Sequence, residues 1–135
     1  MAKYRVFNID TSEMRLLDGE HRLEPNFKVK EIACNCGCGS AVYSGRSLLR
    51  LQIIREEINQ SITITSGDRC YKNNISAGSK TVNHILRGAL DYRTTNRQNM
   101  DKLWELTEKY FGYLSSLGRY STWIHAHMYG KHERW

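Results

Sequence analysis

Residues 122–130, TWIHAHMYG, run without glycine or proline until their last position and alternate in character. Successive side chains of a β-strand point to opposite faces. Ile124, Ala126 and Met128 therefore share one face, which reads as the core side, while Trp123, His125, His127 and Tyr129 share the other. Such a strand needs a sheet covered on its apolar side. The imidazoles and aromatics then either wall a cleft or merely decorate a half-exposed face, and the partners supplied elsewhere must decide between the two.

The rest of the pattern is compatible with one small α+β domain. SLLRLQIIREEIN places Leu48, Leu51, Ile54 or Arg55, and Ile58 at helical spacing, with Ser47 as the candidate cap. SITITS follows as a β-branched strand and SGD as a turn. RQNMDKLWELTEKYFGYL predicts a second helix with Met100, Leu103, Leu106, Tyr110 and Leu114 near one face, and Gly118 marks the loop into the last strand. Helices interleaved with short strands predict α+β, a small antiparallel sheet with helices packed on it. Residues 1–25 lack strong periodicity and end at the only proline, so they are expected to form an arm or peripheral strand ahead of a domain over 26–135.

A chain of 135 residues can bury a core without staples. No apolar run reaches the ~18 residues of a membrane span, and MAKYRVFNIDTSE lacks the apolar stretch of a secretory signal. The chain is thus expected to be made in the cytoplasm, with release needed if it works outside. The net charge of +6 suits an anionic cell envelope, an acidic substrate or nucleic acid. The charges are spread singly rather than in blocks, which argues against nucleic-acid binding as the main task.

NHILRGALDYR supplies partners for the histidines. His84 and Asp91 are seven apart, which on one helix separates them by roughly 10 Å along the axis. On one strand they would fall on opposite faces. Both reach one ion, at ligand distances of about 2 Å, only if the chain bends between them, and Arg87-Gly88 offers that bend because glycine tolerates positive φ. His84, Asp91 and one histidine of the last strand would then form a His₂Asp set with an open fourth position, the catalytic rather than the structural arrangement for zinc.

FKVKEIACNCGCG, ITITSGDRC, NHILRGALD and the terminal WIHAHMYGKHERW occur in the order found in the zinc D-Ala-D-Ala carboxypeptidase family, which the chain resembles over roughly residues 26–135. That family includes vancomycin-resistance dipeptidases and phage L-alanyl-D-glutamate endolysins, with the hedgehog signalling domain as a structural cousin. The short phage-type branch is the nearest in pattern. The resemblance implies a hedgehog-like peptidase fold, one catalytic Zn²⁺ held by His84, Asp91 and His125, and peptidoglycan peptides as substrate. In branches with an HxH motif the second histidine can be the ligand, which leaves His127 as the alternative. It also implies that Arg69 binds a substrate carboxylate or the developing oxyanion and that Asn74 serves the same loop. Trp123 and Tyr129 are the candidate substrate walls on the histidine strand.

Four departures from the family pattern stand out. Val82 replaces a serine two before the first histidine, Arg87 replaces a glycine, and Asp68 replaces the tyrosine of Ser-Gly-Tyr-Arg. Thr122 stands where several branches carry an acidic general base. His127 is the remaining candidate for handling the proton, on the strength of imidazole's ordinary pKa, with Asp68 or Glu133 as acids that could reach in from elsewhere.

Cys34, Cys36, Cys38 and Cys70 are the only cysteines. They are candidates for a second, structural zinc, for disulfides, or for plain thiols; a reducing site of synthesis favours thiols or metal. The expected activity is a zinc peptidase cleaving D-Ala-D-Ala or L-Ala-D-Glu type bonds, released at lysis or carried in a virion. Its rivals are an inactive zinc-binding domain on the same scaffold, recognising wall or a partner protein, and a nucleic-acid-binding zinc knuckle.

Overall fold

The computed structural model describes residues 3–76, 78, 83–129 and 132–135. Strands β1 (Lys3–Asn8) and β2 (Glu13–Asp18) form a hairpin, β3 (Arg22–Glu24) and β4 (Phe27–Lys28) a second, and the short helix α1 (Val29–Ile32) follows. Strand β5 (Ser40–Tyr43), helix α2 (Gly45–Ile58), strand β6 (Ile62–Ser66) and helices α3 (Tyr71–Ser76) and α4 (Asn83–Leu86) come next. Then come β7 (Leu90–Thr94), a 3-10 turn at Arg97–Asn99, α5 (Met100–Phe111), β8 (Ser116–Arg119), β9 (Ile124–His127) and β10 (Glu133–Arg134). The class is α+β, as the sequence predicts.

The principal sheet has the order β10-β8-β9-β7-β6, antiparallel except where β10 runs parallel to β8. The strand parity expected for the histidine run holds. Ile124 and Ala126 are buried in one core with Leu90 and Tyr92 of β7, Leu117 of β8, Leu48, Leu51 and Ile54 of α2 and Leu103 and Leu106 of α5. Met128 packs against that core from just beyond the strand. The buried Tyr92 hydroxyl is paired with Thr107 Oγ1 of α5 at 2.8 Å, so neither hydroxyl is left unpaired where α5 meets the sheet. The opposite parity, Asp91 and His125, lies on the other face, and that face is the one with chemistry.

Helix α2 matches its predicted apolar stripe, but its cap is Ser44, whose side chain accepts from the Ser47 N–H. Ser47 instead lies buried inside the first turn. An N-cap oxygen must reach forward to a free N–H, and Ser44 is the serine one turn earlier that can do so. Helix α5 is shorter than its apolar pattern suggests. It stops at Phe111 because Gly112 adopts φ +82, and Leu114, expected on the core side, is left 72% exposed.

Strand β1 pairs with β2 on one side and runs parallel to β5 on the other. Val6, Val29, Ala33 and Ala41 close a small second core beneath them. Among the described residues no helix is long and apolar enough to cross a membrane.

Candidate metal centre

Asp91 of β7 and His125 of β9 are opposed directly in the antiparallel ladder. Facing residues of such a pair project side by side, and His125 Nδ1 stands 2.9 Å from Asp91 Oδ1. His84 arrives from the other direction. Helix α4 ends at Leu86, the N–H groups of Arg87 and Ala89 both bond to the Asn83 carbonyl, and Gly88 turns the chain at φ +61 into β7. A Cβ at Gly88 would lie 2.6 Å from the Ser44 nitrogen, so both the dihedral and the close approach demand glycine. This is the bend expected between His84 and Asp91, and it brings His84 Nε2 to 3.4 Å from Asp91 Oδ1.

The tautomer of His84 is fixed by its other nitrogen. Nδ1 lies 2.8 Å from the Gly67 carbonyl oxygen, which can only accept, so Nδ1 carries the proton and the Nε2 lone pair faces Asp91. Orientation of a ligating imidazole by a backbone carbonyl is the usual support around a protein metal. Gly67 itself packs tightly on the Ile32 backbone because it has no Cβ; one would sit 2.4 Å from the Ile32 carbonyl oxygen.

His84, Asp91 and His125 each offer one ligand atom, these lie within 4.8 Å of one another, and all three residues are buried. Tetrahedral ligands about 2 Å from zinc stand about 3.3 Å apart, so the separations of 2.9 and 3.4 Å suit a common ion. Burial works against the Asp91 carboxylate, but the neighbouring imidazoles of His125 and His84 outweigh it and hold the group well below the ordinary carboxylate range. His125 Nε2 is buried with no hydrogen-bond partner among the described residues.

The second carboxylate oxygen belongs to Arg69. Its Nη2 donates to Asp91 Oδ2 at 3.3 Å and its Nε to Ser66 Oγ at 3.0 Å. The Ser66↔Asp91 pairing follows a register shift after Ile64, the kind of irregularity that re-aims a strand end beside a site. The arginine is thus brought to the candidate metal ligand Asp91, with part of its five-donor fork still to use.

His127 also lies beside the centre, its ring edge-on to His125 at 5.5 Å. It is 2% exposed and its Nδ1 has no hydrogen-bond partner among the described residues. Burial, aided by the positive fields of His125, Arg87 and His84, pushes its pKa down to about 4. The ring is therefore neutral at pH 7, whereas the sequence alone suggested a value poised near neutrality.

Other predicted residues stand further off. Trp123 stacks on Tyr120, ring centroids 4.4 Å apart. Tyr129 is half-buried beyond β9, and its carbonyl accepts from Arg87. Asn74 is buried on α3, its N–H bonded to the Cys70 carbonyl. The Asp68 carboxylate accepts from Ser40 Oγ at 2.5 Å, and Glu133 is exposed on β10, so neither joins the group formed by His84, Asp91 and His125. Val82 lies outside the described residues.

Two participants are not legible beforehand. In the sequence Gly67 shows only as part of a turn. The Trp135 ring lies 5.3 Å from that of His125 and occupies the space over Gly118, whose Cβ would meet its indole nitrogen at 2.4 Å. Gly118, expected in the loop before the last strand, instead lies within β8 directly opposite His125.

The four cysteines form a separate group, each sulfur within 4.8 Å of the others. Burial pushes the Cys34 thiol up, but hydrogen bonds from the Cys70 and Cys36 backbone and the neighbouring thiols outweigh it and bring it down to about 7. Cys36, donating to Cys34, is pushed up to about 12.

Two imidazoles and a carboxylate whose ligand atoms converge, beside a half-buried arginine, are a donor set of the kind zinc-dependent hydrolases use. The chain belongs to the Peptidase M15 family, whose model matches residues 25–127 and whose members are zinc-dependent peptidases. No curated protein and no solved structure matches it.

Proposed function

We propose that this protein is a zinc metallopeptidase that hydrolyses peptidoglycan stem peptides at a D-Ala-D-Ala or L-Ala-D-Glu type bond. The observation that carries the reading is the convergence of His84, Asp91 and His125, with Arg69 on the far oxygen of Asp91. His84 Nε2, an Asp91 oxygen and His125 are the ligands. A zinc ion bound there supplies Lewis acidity toward water and toward the scissile carbonyl.

The remaining work falls to the chain. The Gly67 carbonyl keeps the His84 lone pair aimed at the ion. The unused donors of Arg69 take a substrate carboxylate or the oxyanion bidentately. His127 is neutral at pH 7 and supplies a hydrogen bond to the reacting group rather than a resident charge. The Trp135 ring beside His125 restricts water from that side. A positive balance of +6 favours encounter with an anionic wall polymer. The phage-type resemblance supports synthesis in the cytoplasm and action on the wall after release, or as part of a virion.

A specific observation favours a second reading, a zinc-binding domain that recognises wall without cutting it. Apart from the ligand Asp91, no carboxylate among the described residues joins the metal group, and Thr122 occupies the position of the acid used in several related branches. Digestion of purified peptidoglycan with mass analysis of the products separates the two. Loss of D-Ala or scission at L-Ala-D-Glu establishes the peptidase and names the bond; binding to the polymer without new products establishes the recognition domain.

A further inference from the structure

The Cys34–Cys70 cluster lies apart from the histidine site, and the reading of that site uses none of it. Cys34, Cys36 and Cys38 come from the turn between α1 and β5, and Cys70 comes from the segment after β6. Gly37, at φ +81 with nothing within 4 Å of the Cβ position, lets the turn curl so that its three cysteines converge on Cys70. Cys34 Sγ is 3.3 Å from Cys36 Sγ, which is 3.6 Å from Cys70 Sγ. No disulfide joins any of the four.

Four sulfurs at this spacing match a tetrahedron better than a pair of bonds. Zinc–sulfur distances of about 2.3 Å put tetrahedral thiolates about 3.8 Å apart, whereas disulfide sulfurs are about 2.05 Å apart. The Cys70 N–H donates to Cys34 Sγ at 3.3 Å, an oriented backbone donor of the kind that steadies a ligating thiolate. Three of the four cysteines lie within five residues of one another, so only Cys70 comes from far along the chain.

We propose that Cys34, Cys36, Cys38 and Cys70 form a second metal site, a closed tetrathiolate centre for zinc with a structural role. Four protein ligands leave no position open to substrate, which separates it in kind from the His₂Asp centre. Each cysteine binds as thiolate and gives its proton to solvent. The site fastens the turn after α1 to the residues just past β6. Gly67, whose carbonyl orients His84, and Arg69, which holds Asp91, belong to that same short segment. The segment is also tied down by the Asp68 N–H to the Ile32 carbonyl and by Asp68 to Ser40. The cysteine-bound metal therefore positions one wall of the histidine site without touching it. The proposal stands whether or not the histidine site is catalytic.

The test is elemental analysis of reduced protein together with cobalt substitution. Wild type is expected to hold two zinc ions per chain, and His84→Ala and Cys36→Ser one each. Cobalt-loaded wild type and His84→Ala should both show intense thiolate-to-cobalt charge-transfer absorption, a readout that needs no cysteine variant to fold. A wild-type protein with one zinc that His84→Ala removes, and a cobalt spectrum lacking thiolate bands, would overturn the proposal. So would cysteines found as disulfides in the native protein by mass. Failure of the histidine site would show differently, as an unchanged zinc content in His84→Ala.

Discussion

His125 Nδ1 and Asp91 Oδ1 lie 2.9 Å apart because their residues are direct partners in the β7–β9 ladder. The contact is built by sheet register, and a one-residue slip of either strand would turn its site residue into the helix-packed core. Leu90, Tyr92, Ile124 and Ala126, buried on that other face, hold the register against such a slip. Core packing and metal-site geometry are thus set by the same alternation.

Replacing Asp91 by asparagine keeps its shape and removes its charge. The structure predicts loss of the zinc bound at this site, with peptidase activity falling by at least about 100-fold. Zinc content after dialysis and the rate of peptide release measure the two effects. Full retention of metal in Asp91→Asn would show that the carboxylate is not a ligand.

Gly88→Ala combines an unfavourable positive φ with a Cβ 2.6 Å from the Ser44 nitrogen. We expect a cost of about 2 kcal/mol or more, seen as a lower thermal midpoint, together with weaker zinc binding as His84 moves relative to Asp91. A midpoint equal to wild type would mean that the bend is not under this constraint.

The two histidines of β9 should separate cleanly. His125→Ala is predicted to lose the zinc that His84 also holds. His127→Gln should keep it while kcat falls by roughly 100-fold, the size expected for one lost transition-state donor. Parallel zinc analysis and kinetics on both variants decide the matter, and the reverse pattern would make His127 the ligand.

Arg69→Lys retains a charge but not the planar fork that engages Asp91 and Ser66. Zinc content should stay near wild type, with kcat/KM reduced by roughly 10- to 100-fold. Unaltered kcat/KM in the lysine variant would exclude bidentate recognition by this side chain.

Much of this site was readable from the sequence because its signals are periodic or local. Alternation around His125 gave the face, and Gly88 between His84 and Asp91 gave the bend. What escaped depends on tertiary approach. The Gly67 carbonyl acts through a main-chain atom, which no residue type announces. Trp135 meets His125 only because β10 pairs with β8. The neutral state of His127 follows from burial that spacing cannot report. The end of α5 escapes for a similar reason: apolar spacing runs on past Phe111, whereas the backbone turn at Gly112 ends the helix.

The central claim is that His84, Asp91 and His125 hold a catalytic zinc. It is tested most directly by measuring zinc per chain and peptidoglycan cleavage together, in wild type and His84→Ala. The account predicts that the variant loses one equivalent of zinc and, with it, every peptide product that wild type releases. Unchanged zinc and undiminished cleavage in His84→Ala would contradict it.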